Sequence, residues 1–154
     1  MGIRDFRDLV AWQRVDELRK EIIAFTSKGP AARDFRFRDQ IRDAIASACR
    51  NTSEGWGRFR PGDNARFVEI ARASIEEVRD GLIEAKEKNY IDDPLHDRLW
   101  TLARRALGTN TNYLKYLQRC ARNGEKPWLK EDAAENPEPK NPEPKHPRTK
   151  NPRT

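Results

Sequence analysis

The chain has few of the side chains on which enzyme catalysis most often depends. Its 154 residues include two histidines, two cysteines and one methionine. His96 and His146 share no motif with a serine or cysteine nucleophile, and neither an HExxH sequence nor a GxxxxGK phosphate loop occurs. None of the helical patterns described below contains the ExxH pair of di-iron bundles. The sequence therefore predicts a protein that is not an enzyme and that has neither a metal site nor a cofactor.

Long apolar runs and paired cysteines are also missing. No stretch approaches the ~20 apolar residues that a helix needs to cross a bilayer. The start of the chain has no signal-peptide pattern, because charged side chains interrupt each apolar stretch there. Cys49 and Cys120 belong to no CxxC pair, which favours buried, reduced thiols. Together these absences predict a soluble, cytoplasmic protein that does not associate with a membrane.

A β-sheet is not expected either, since no window alternates polar and apolar residues over the length of a strand. Four segments instead carry apolar residues at intervals of three and four, at about residues 6–27, 35–54, 63–89 and 92–122. Asp5 and Asp92 are placed to cap the first and fourth of them. Short connections between long helices favour antiparallel neighbours. The predicted fold is an all-α, up-down antiparallel four-helix bundle over residues 1–124.

Residues 125–154 are predicted to form a linker and a disordered tail. From Asn136 onward the chain reads NPEPK-NPEPK-HPRTK-NPRT, which holds six of the ten prolines and no large apolar side chain. Such a repeat cannot bury a core and favours an extended or disordered chain. Its five basic and two acidic residues contribute +3 of the net charge of +6. The bundle itself is therefore only mildly basic.

A set of polar residues recurs at near-helical spacing beside the apolar stripe of the second segment. Two interpretations remain open. The residues could form a hydrogen-bonded network across a helix or subunit interface, which would fix register and oligomeric state. Alternatively, Asn51 and Glu54 could simply cap the end of the helix. The polar set comprises Gln40, Ser47, Asn51 and Glu54, with Ser74 on the third segment.

Two glycines follow this set. Gly55 and Gly57 are expected to end the second helix, because glycine adopts the left-handed conformation without a Cβ penalty. Their lack of a side chain also predicts close approach of another group to this point.

Arginines cluster around the second segment and the loop that follows it. Phe59 lies among the last of them, and arginine beside aromatic rings is the chemistry that binds phosphate and stacks on unpaired bases. Pairing with interspersed aspartates is the alternative, which we favour for the helix, whereas we favour a binding surface for residues 56–60. The candidate nucleic-acid-binding residues are Arg38, Arg42, Arg50, Arg58, Arg60 and Arg66.

Spaced motifs over about residues 6–120 resemble a known family. The opening Phe6-Arg-Asp-Leu-Val-Ala-Trp12-Gln13 is similar to the F-x-x-L-x-x-W-Q start of bacterial four-helix bundle proteins encoded in intervening sequences of 23S ribosomal RNA genes. Further matches to that family are Gln40-Ile-Arg42, Ala44, Ser47, Asn51, Glu54-Gly55, Gly57-Arg58, Phe67, Ala71, Ser74, Glu77 and the bend Asn89-Tyr90-Ile91.

The resemblance implies an up-down bundle related to the accessory proteins of diversity-generating retroelements. Those proteins form pentamers, assist a reverse transcriptase and bind nucleic acid through basic surfaces. The resemblance therefore implies a homo-oligomer, a pentamer, with RNA or DNA and a reverse transcriptase as candidate partners. We expect a non-enzymatic bundle that binds RNA, or a nucleic-acid-processing partner, through an arginine-rich surface. A protein-interaction adaptor without nucleic-acid contact is the alternative.

Overall fold

The computed structural model describes residues 2–127. This part of the chain contains no β-strand, which agrees with the prediction of an all-α fold. The predicted tail lies outside the described residues from position 128 onward, so the boundary between bundle and tail stays a prediction. The elements are a 3₁₀ turn at Phe6–Asp8 and the helices α1 (Val10–Phe25), α2 (Gly29–Arg33), α3 (Phe35–Trp56), α4 (Pro61–Glu87) and α5 (Asp93–Asn123).

The first predicted helix is divided into two elements. Asp5 caps the 3₁₀ turn, because its side chain accepts a hydrogen bond from the Arg7 amide and Asp8 bonds back to the Asp5 amide. Leu9 is then extended, and α1 begins only at Val10. The short α2 follows α1, in the turn where the sequence predicted only a helix end. Asp92 caps α5 as predicted, at 2.9 Å from the amide of Leu95.

The four long helices form a ring around a main core, and a smaller apolar cluster of Ala65, Val68, Leu114 and Leu117 lies between α4 and α5. Helix α1 packs against α3 and α5, α3 packs against α4, and α4 packs against α5. Each long helix therefore has two neighbours, as in an up-down bundle. Each fully buried aliphatic side chain contributes roughly 1.5–3 kcal/mol to folding. The largest of these are Leu18, Ile22, Ile45, Ile75, Leu82, Leu99 and Leu117.

One end of the bundle, here called the loop end, carries the α3–α4 connection at residues 57–60. The start of α1 and the end of α5 lie toward the same end, since the Asn110 side chain bonds to Ala11 and a Cβ at Gly62, in the first turn of α4, would lie 3.9 Å from the Ala121 Cβ. Helix α5 stops at Gly124, whose φ of 67° is left-handed. The Tyr116 hydroxyl then donates to the Pro127 carbonyl at 3.0 Å, which holds the chain against the loop end.

A polar joint closes the opposite end of the bundle. Asp34 caps α3 and also accepts hydrogen bonds from the Tyr90 hydroxyl at 2.7 Å and the Lys88 ammonium at 3.1 Å. Asn89 makes the bend between α4 and α5 with a φ of 56°. The Tyr90 ring packs edge-on against Phe37, with ring centroids 5.2 Å apart. The joint therefore ties the α4–α5 turn to the first turn of α3.

The glycines at the end of α3 correct one expectation. Gly57 ends α3 as expected, but its φ of −68° is not left-handed, and Gly55 lies inside the helix. The predicted close approach is present at Gly55. A Cβ there would lie 2.5 Å from Asn64 Oδ1 and 3.0 Å from Phe67 Cβ. Gly55 is therefore required by the packing of α4 on α3 rather than by a turn.

The Asp34 joint predicts acid sensitivity. Hydrogen bonds from Tyr90, the Phe37 amide and Lys88 lower the pKa of Asp34 from 3.8 to about 2. The stabilisation is therefore complete above the unfolded-state pKa and is lost as the pH falls from about 4 through about 2. Asp34→Asn keeps a capping side chain, so we expect it to reduce the free energy of unfolding at pH 7 and to flatten its decline below pH 4.

Urea unfolding at a series of pH values measures this effect. The exposed Asp43→Asn is the matched control and should leave the acid dependence of the wild type in place. An Asp34→Asn chain that follows the wild-type curve would show that the joint does not contribute to acid sensitivity.

A second prediction concerns glycine in helices. Gly55→Ala should reduce the free energy of unfolding by about 1–3 kcal/mol, because the new methyl group overpacks the contact with Asn64. Gly108 is the matched control, since a Cβ there meets nothing within 4 Å. Gly108→Ala should instead stabilise the protein by about 0.5–1 kcal/mol through helix propensity. Denaturant unfolding distinguishes the two, and equal effects would contradict the packing role of Gly55.

Candidate nucleic-acid interface

The six candidate arginines fall into two groups: Arg38, Arg42 and Arg50 lie along α3, whereas Arg58, Arg60 and Arg66 lie in the α3–α4 loop and the start of α4. Arg42 belongs to the first group. Its Nε donates to the Thr26 hydroxyl at 2.8 Å, and its Nη2 donates to the Ser27 hydroxyl at 2.9 Å and the Ile23 carbonyl at 3.3 Å. These acceptors are at the C-terminal end of α1, where unpaired carbonyls and the helix dipole favour a cation. Arg42 thus caps α1 and joins it to α3.

Arg38 and Arg50 lie on the same helix but differ in their surroundings. Arg38 is half-buried, pairs with Asp39 at 2.8 Å, and its guanidinium lies 4.8 Å from the Phe35 ring centroid. Arg50 is exposed, and no ion-pair partner is found for it within residues 2–127. It lines a groove between α3 and α4, to which Asp43 also contributes. Of these two arginines, only Arg38 is therefore engaged by a carboxylate of the described chain.

The α3–α4 loop presents a different environment. Phe59 leaves 76% of its surface exposed, the highest value among the large apolar side chains that the structure describes. Arg58, on one side of it, pairs with Glu54 at 2.9 Å and lies 4.7 Å from the Phe67 ring centroid. Arg60, on the other side, is exposed and has no carboxylate partner in the described chain. An exposed aromatic ring between two cations is suited to bases and phosphates.

Two more arginines extend this surface along the bundle. Arg66 of α4 and Arg122 of α5 line a shallow groove together with Gln118 and one carboxylate, Glu69. Sequence reasoning missed Arg122, although antiparallel packing of α4 against α5 would place residues near 120 beside residues near 64. The resulting surface is here called the loop-end basic surface and comprises Arg58, Phe59, Arg60, Arg66 and Arg122.

The polar set of α3 lies mainly against α4. The Ser47 and Ser74 hydroxyls are 2.9 Å apart, and the Asn51 amide donates to the Ser47 carbonyl at 2.9 Å and hydroxyl at 3.2 Å. These three side chains join the two helices. Neither Asn51 nor Glu54 caps α3, since Asn51 bonds one turn backward and Glu54 pairs with Arg58. Gln40 is exposed in the α3–α4 groove.

Two further polar contacts, one of them fully buried, were missed by sequence reasoning. The Asn110 amide donates to the Ala11 carbonyl at 3.2 Å, and its oxygen lies 3.4 Å from the Thr52 hydroxyl. Asn110 therefore connects α5 to α1 and α3. Asn64 donates to Tyr113 at 2.9 Å, and burial raises the pKa of Tyr113 to about 12. A signal existed for Asn110, because it stands at a core position four residues from Ala106 and from Leu114.

Both cysteines are free and buried, as predicted. Burial raises the pKa of the Cys49 thiol to about 11, so its nucleophilic thiolate is scarce at neutral pH.

Neither a membrane span nor a metal cluster is found in the part of the chain that the structure describes. No helix between residues 2 and 127 has the length and apolar character needed to span a bilayer. Within the same residues, no three His, Cys, Asp or Glu side chains are placed to share a metal ion.

The family described as 23S rRNA-intervening sequence protein matches residues 7–108. The chain belongs to this family. No protein of curated function matches the chain at a significant level.

The match places the whole of α1 to α4 within the 23S rRNA-intervening sequence protein family and confirms the resemblance drawn from the motifs. The six predicted arginines and the polar set all fall inside the matched residues. Arg122 lies beyond the matched residues.

The geometry of Arg42 leads to a prediction that separates structural from binding arginines. Arg42→Ala should reduce the free energy of unfolding by about 1–2 kcal/mol, since it removes three hydrogen bonds at the end of α1. Arg50→Ala is the matched control on the same helix, and its exposed side chain should change stability by less than about 0.5 kcal/mol. Urea denaturation measures both. Equal stability of the two variants would contradict the capping role of Arg42.

Proposed function

We propose that this protein is a non-enzymatic, homo-oligomeric helical bundle that acts in the cytoplasm and binds RNA through the loop-end basic surface. The observation that carries the proposal is the exposed Phe59 ring between Arg58 and Arg60. A single exposed apolar side chain is common on protein surfaces, but an aromatic ring flanked by guanidinium groups offers both a stacking face for a base and donors for its phosphates.

Unpaired RNA bases suit this surface because their faces stack on aromatic rings. The surrounding guanidinium groups of Arg60 and Arg66 are available to phosphate, since no described carboxylate neutralises either of them. Arginine is also well suited to phosphate, because its planar fork makes bidentate hydrogen bonds. Arg38 and Arg42 contribute less in this proposal, because contacts within the bundle already engage them.

The oligomeric part of the proposal rests on the resemblance to pentamer-forming accessory proteins. Repeated subunits would present several loop-end surfaces to one RNA, which raises overall affinity without new contacts. A reverse transcriptase is the partner protein that the resemblance favours. A protein adaptor without nucleic-acid contact is the alternative, and it is favoured only by the exposed apolar side chains Phe35, Ile70 and Ile83 on the helices.

The test is RNA binding as a function of salt. Fluorescence anisotropy with a labelled RNA hairpin that has an unpaired loop should show affinity that falls steeply between about 50 and 200 mM salt. The double variant Arg60→Ala, Arg66→Ala should weaken binding and lower the slope of log K against log salt by roughly 0.7–0.9 for each phosphate that the variant no longer neutralises.

Matched variants separate the contribution of charge to RNA binding from the contribution of base stacking. Lys28→Ala with Arg33→Ala removes the same charge at the opposite end of the bundle and should leave affinity unchanged. Phe59→Leu should weaken binding to the unpaired loop but not to a fully paired duplex, because leucine cannot stack on a base. Affinity that is independent of salt, or that falls equally with the control, would favour the adaptor instead.

A further inference from the structure

The charges of the described chain are segregated between two of its surfaces. Helix α5 has no acidic residue between positions 98 and 124, although it carries six basic residues there. Four of these basic side chains are exposed on the face of α5 that points away from the core, and helical spacing places them within about 100° of one another around the helix axis. They span ~22 Å along the axis at ~1.5 Å per residue. This α5 basic stripe comprises Arg104, Arg105, Lys115 and Arg119.

The groove between α3 and α4 has the opposite charge. Six carboxylates line it against only two cations, Arg36 and Arg50. This acidic groove is lined by Asp39 and Asp43 from α3 and by Glu76, Glu77, Asp80 and Glu84 from α4.

Half of these carboxylates are not engaged within the bundle. Asp39 pairs with Arg38, Glu76 with Arg79 and Glu84 with Lys88. Asp43, Glu77 and Asp80 have no ion-pair partner among residues 2–127. A shared metal does not account for them, because no three carboxylates of the described chain converge on one point. Among the described residues, the groove therefore has three unpaired carboxylates against two unpaired lining arginines, Arg36 and Arg50, which leaves a small excess of negative charge on a chain whose overall charge is positive.

The groove is lined by small side chains along part of its length and by larger apolar ones toward the start of α3. Ala44, Ser47, Ala73 and Ser74 form the small-residue part, and Phe35, Phe37 and Ile41 supply the larger apolar surface. Long basic side chains suit such a site, because their apolar stems cover this lining while their charged ends reach the acidic rim.

We propose that the acidic groove of one copy receives the α5 basic stripe of a second copy of this chain. The inference rests on the homo-oligomeric part of the proposed function and assigns its interface. The two surfaces belong to different helices on different sides of the bundle, so the contact is heterologous: each copy donates its stripe to one neighbour and its groove to another. Such contacts propagate, and they close into a ring when the rotation between copies permits.

Charge reversal on each surface tests the assignment. Sedimentation velocity of the full-length chain near 0.1 M salt should show an oligomer. Arg104→Glu with Arg105→Glu should dissociate it, and so should Glu77→Arg with Asp80→Arg, each raising the concentration needed for assembly at least tenfold. Lys28→Glu with Arg33→Glu is the matched control outside both surfaces and should assemble like the wild type. Circular dichroism checks that each variant is folded.

The decisive test is a chain that carries all four charge reversals. This chain restores opposite charges across the interface and should assemble again. The milder pair Arg104→Gln, Arg105→Gln should show intermediate assembly if the reversed chains are too unstable to interpret. Wild-type assembly should weaken toward 1 M salt, where the Debye length falls to ~3 Å.

The remaining outcomes separate this inference from the proposed function. A monomeric wild type would overturn the inference and the oligomeric proposal together, and RNA binding would then be judged on the loop-end variants alone. An oligomer that neither reversal affects would overturn the inference but leave the proposed function in place. Loss of RNA binding with unchanged mass in the Arg104→Glu, Arg105→Glu chain would assign the stripe to RNA and overturn the inference.

Discussion

The bundle depends on how closely α3 and α4 approach each other. Glycine faces a larger side chain at two points along the pair, where Gly55 meets Asn64 and Gly81 meets Ile41, whose Cδ1 lies 2.9 Å from the position of an added Cβ. This approach brings the Ser47 and Ser74 hydroxyls within hydrogen-bonding distance. Only four residues, 57–60, connect the two helices, and Phe59 is the exposed aromatic side chain among them.

Much of the fold could be predicted from residue spacing. The apolar stripes located all four long helices, and Asp92 located the start of α5, because these signals act within one or two turns of a helix. The role of Gly55 was misinterpreted for a physical reason. A glycine in a sequence can indicate either a left-handed turn or a close contact with another residue. At Gly55 it is the contact, and the contacting residues belong to α4, which residue spacing along α3 does not reveal. Short elements such as α2 lack enough residues to show a period.

The candidate site was less accessible to sequence reasoning. Arginine content indicated a basic surface, but the role of each arginine depends on groups distant along the chain. Arg42 caps α1 because the intervening turn returns α3 to that point, which spacing alone does not reveal. Asn110 was recognisable as a polar residue at a core position, yet its partners on α1 and α3 required the assembled bundle. Charge segregation between α5 and the α3–α4 groove likewise emerges only when helix faces are known.

The hydrogen bond from Tyr116 to Pro127 has a consequence for the part of the chain that follows. It fixes the attachment point of residues 128–154 beside the loop-end basic surface rather than at the Asp34 joint. If the loop-end basic surface binds RNA as proposed, that RNA would be held close to the point from which the chain continues. Basic residues further along the same chain would then meet it at an effective concentration set by the length of the connection and not by the amount of protein in solution.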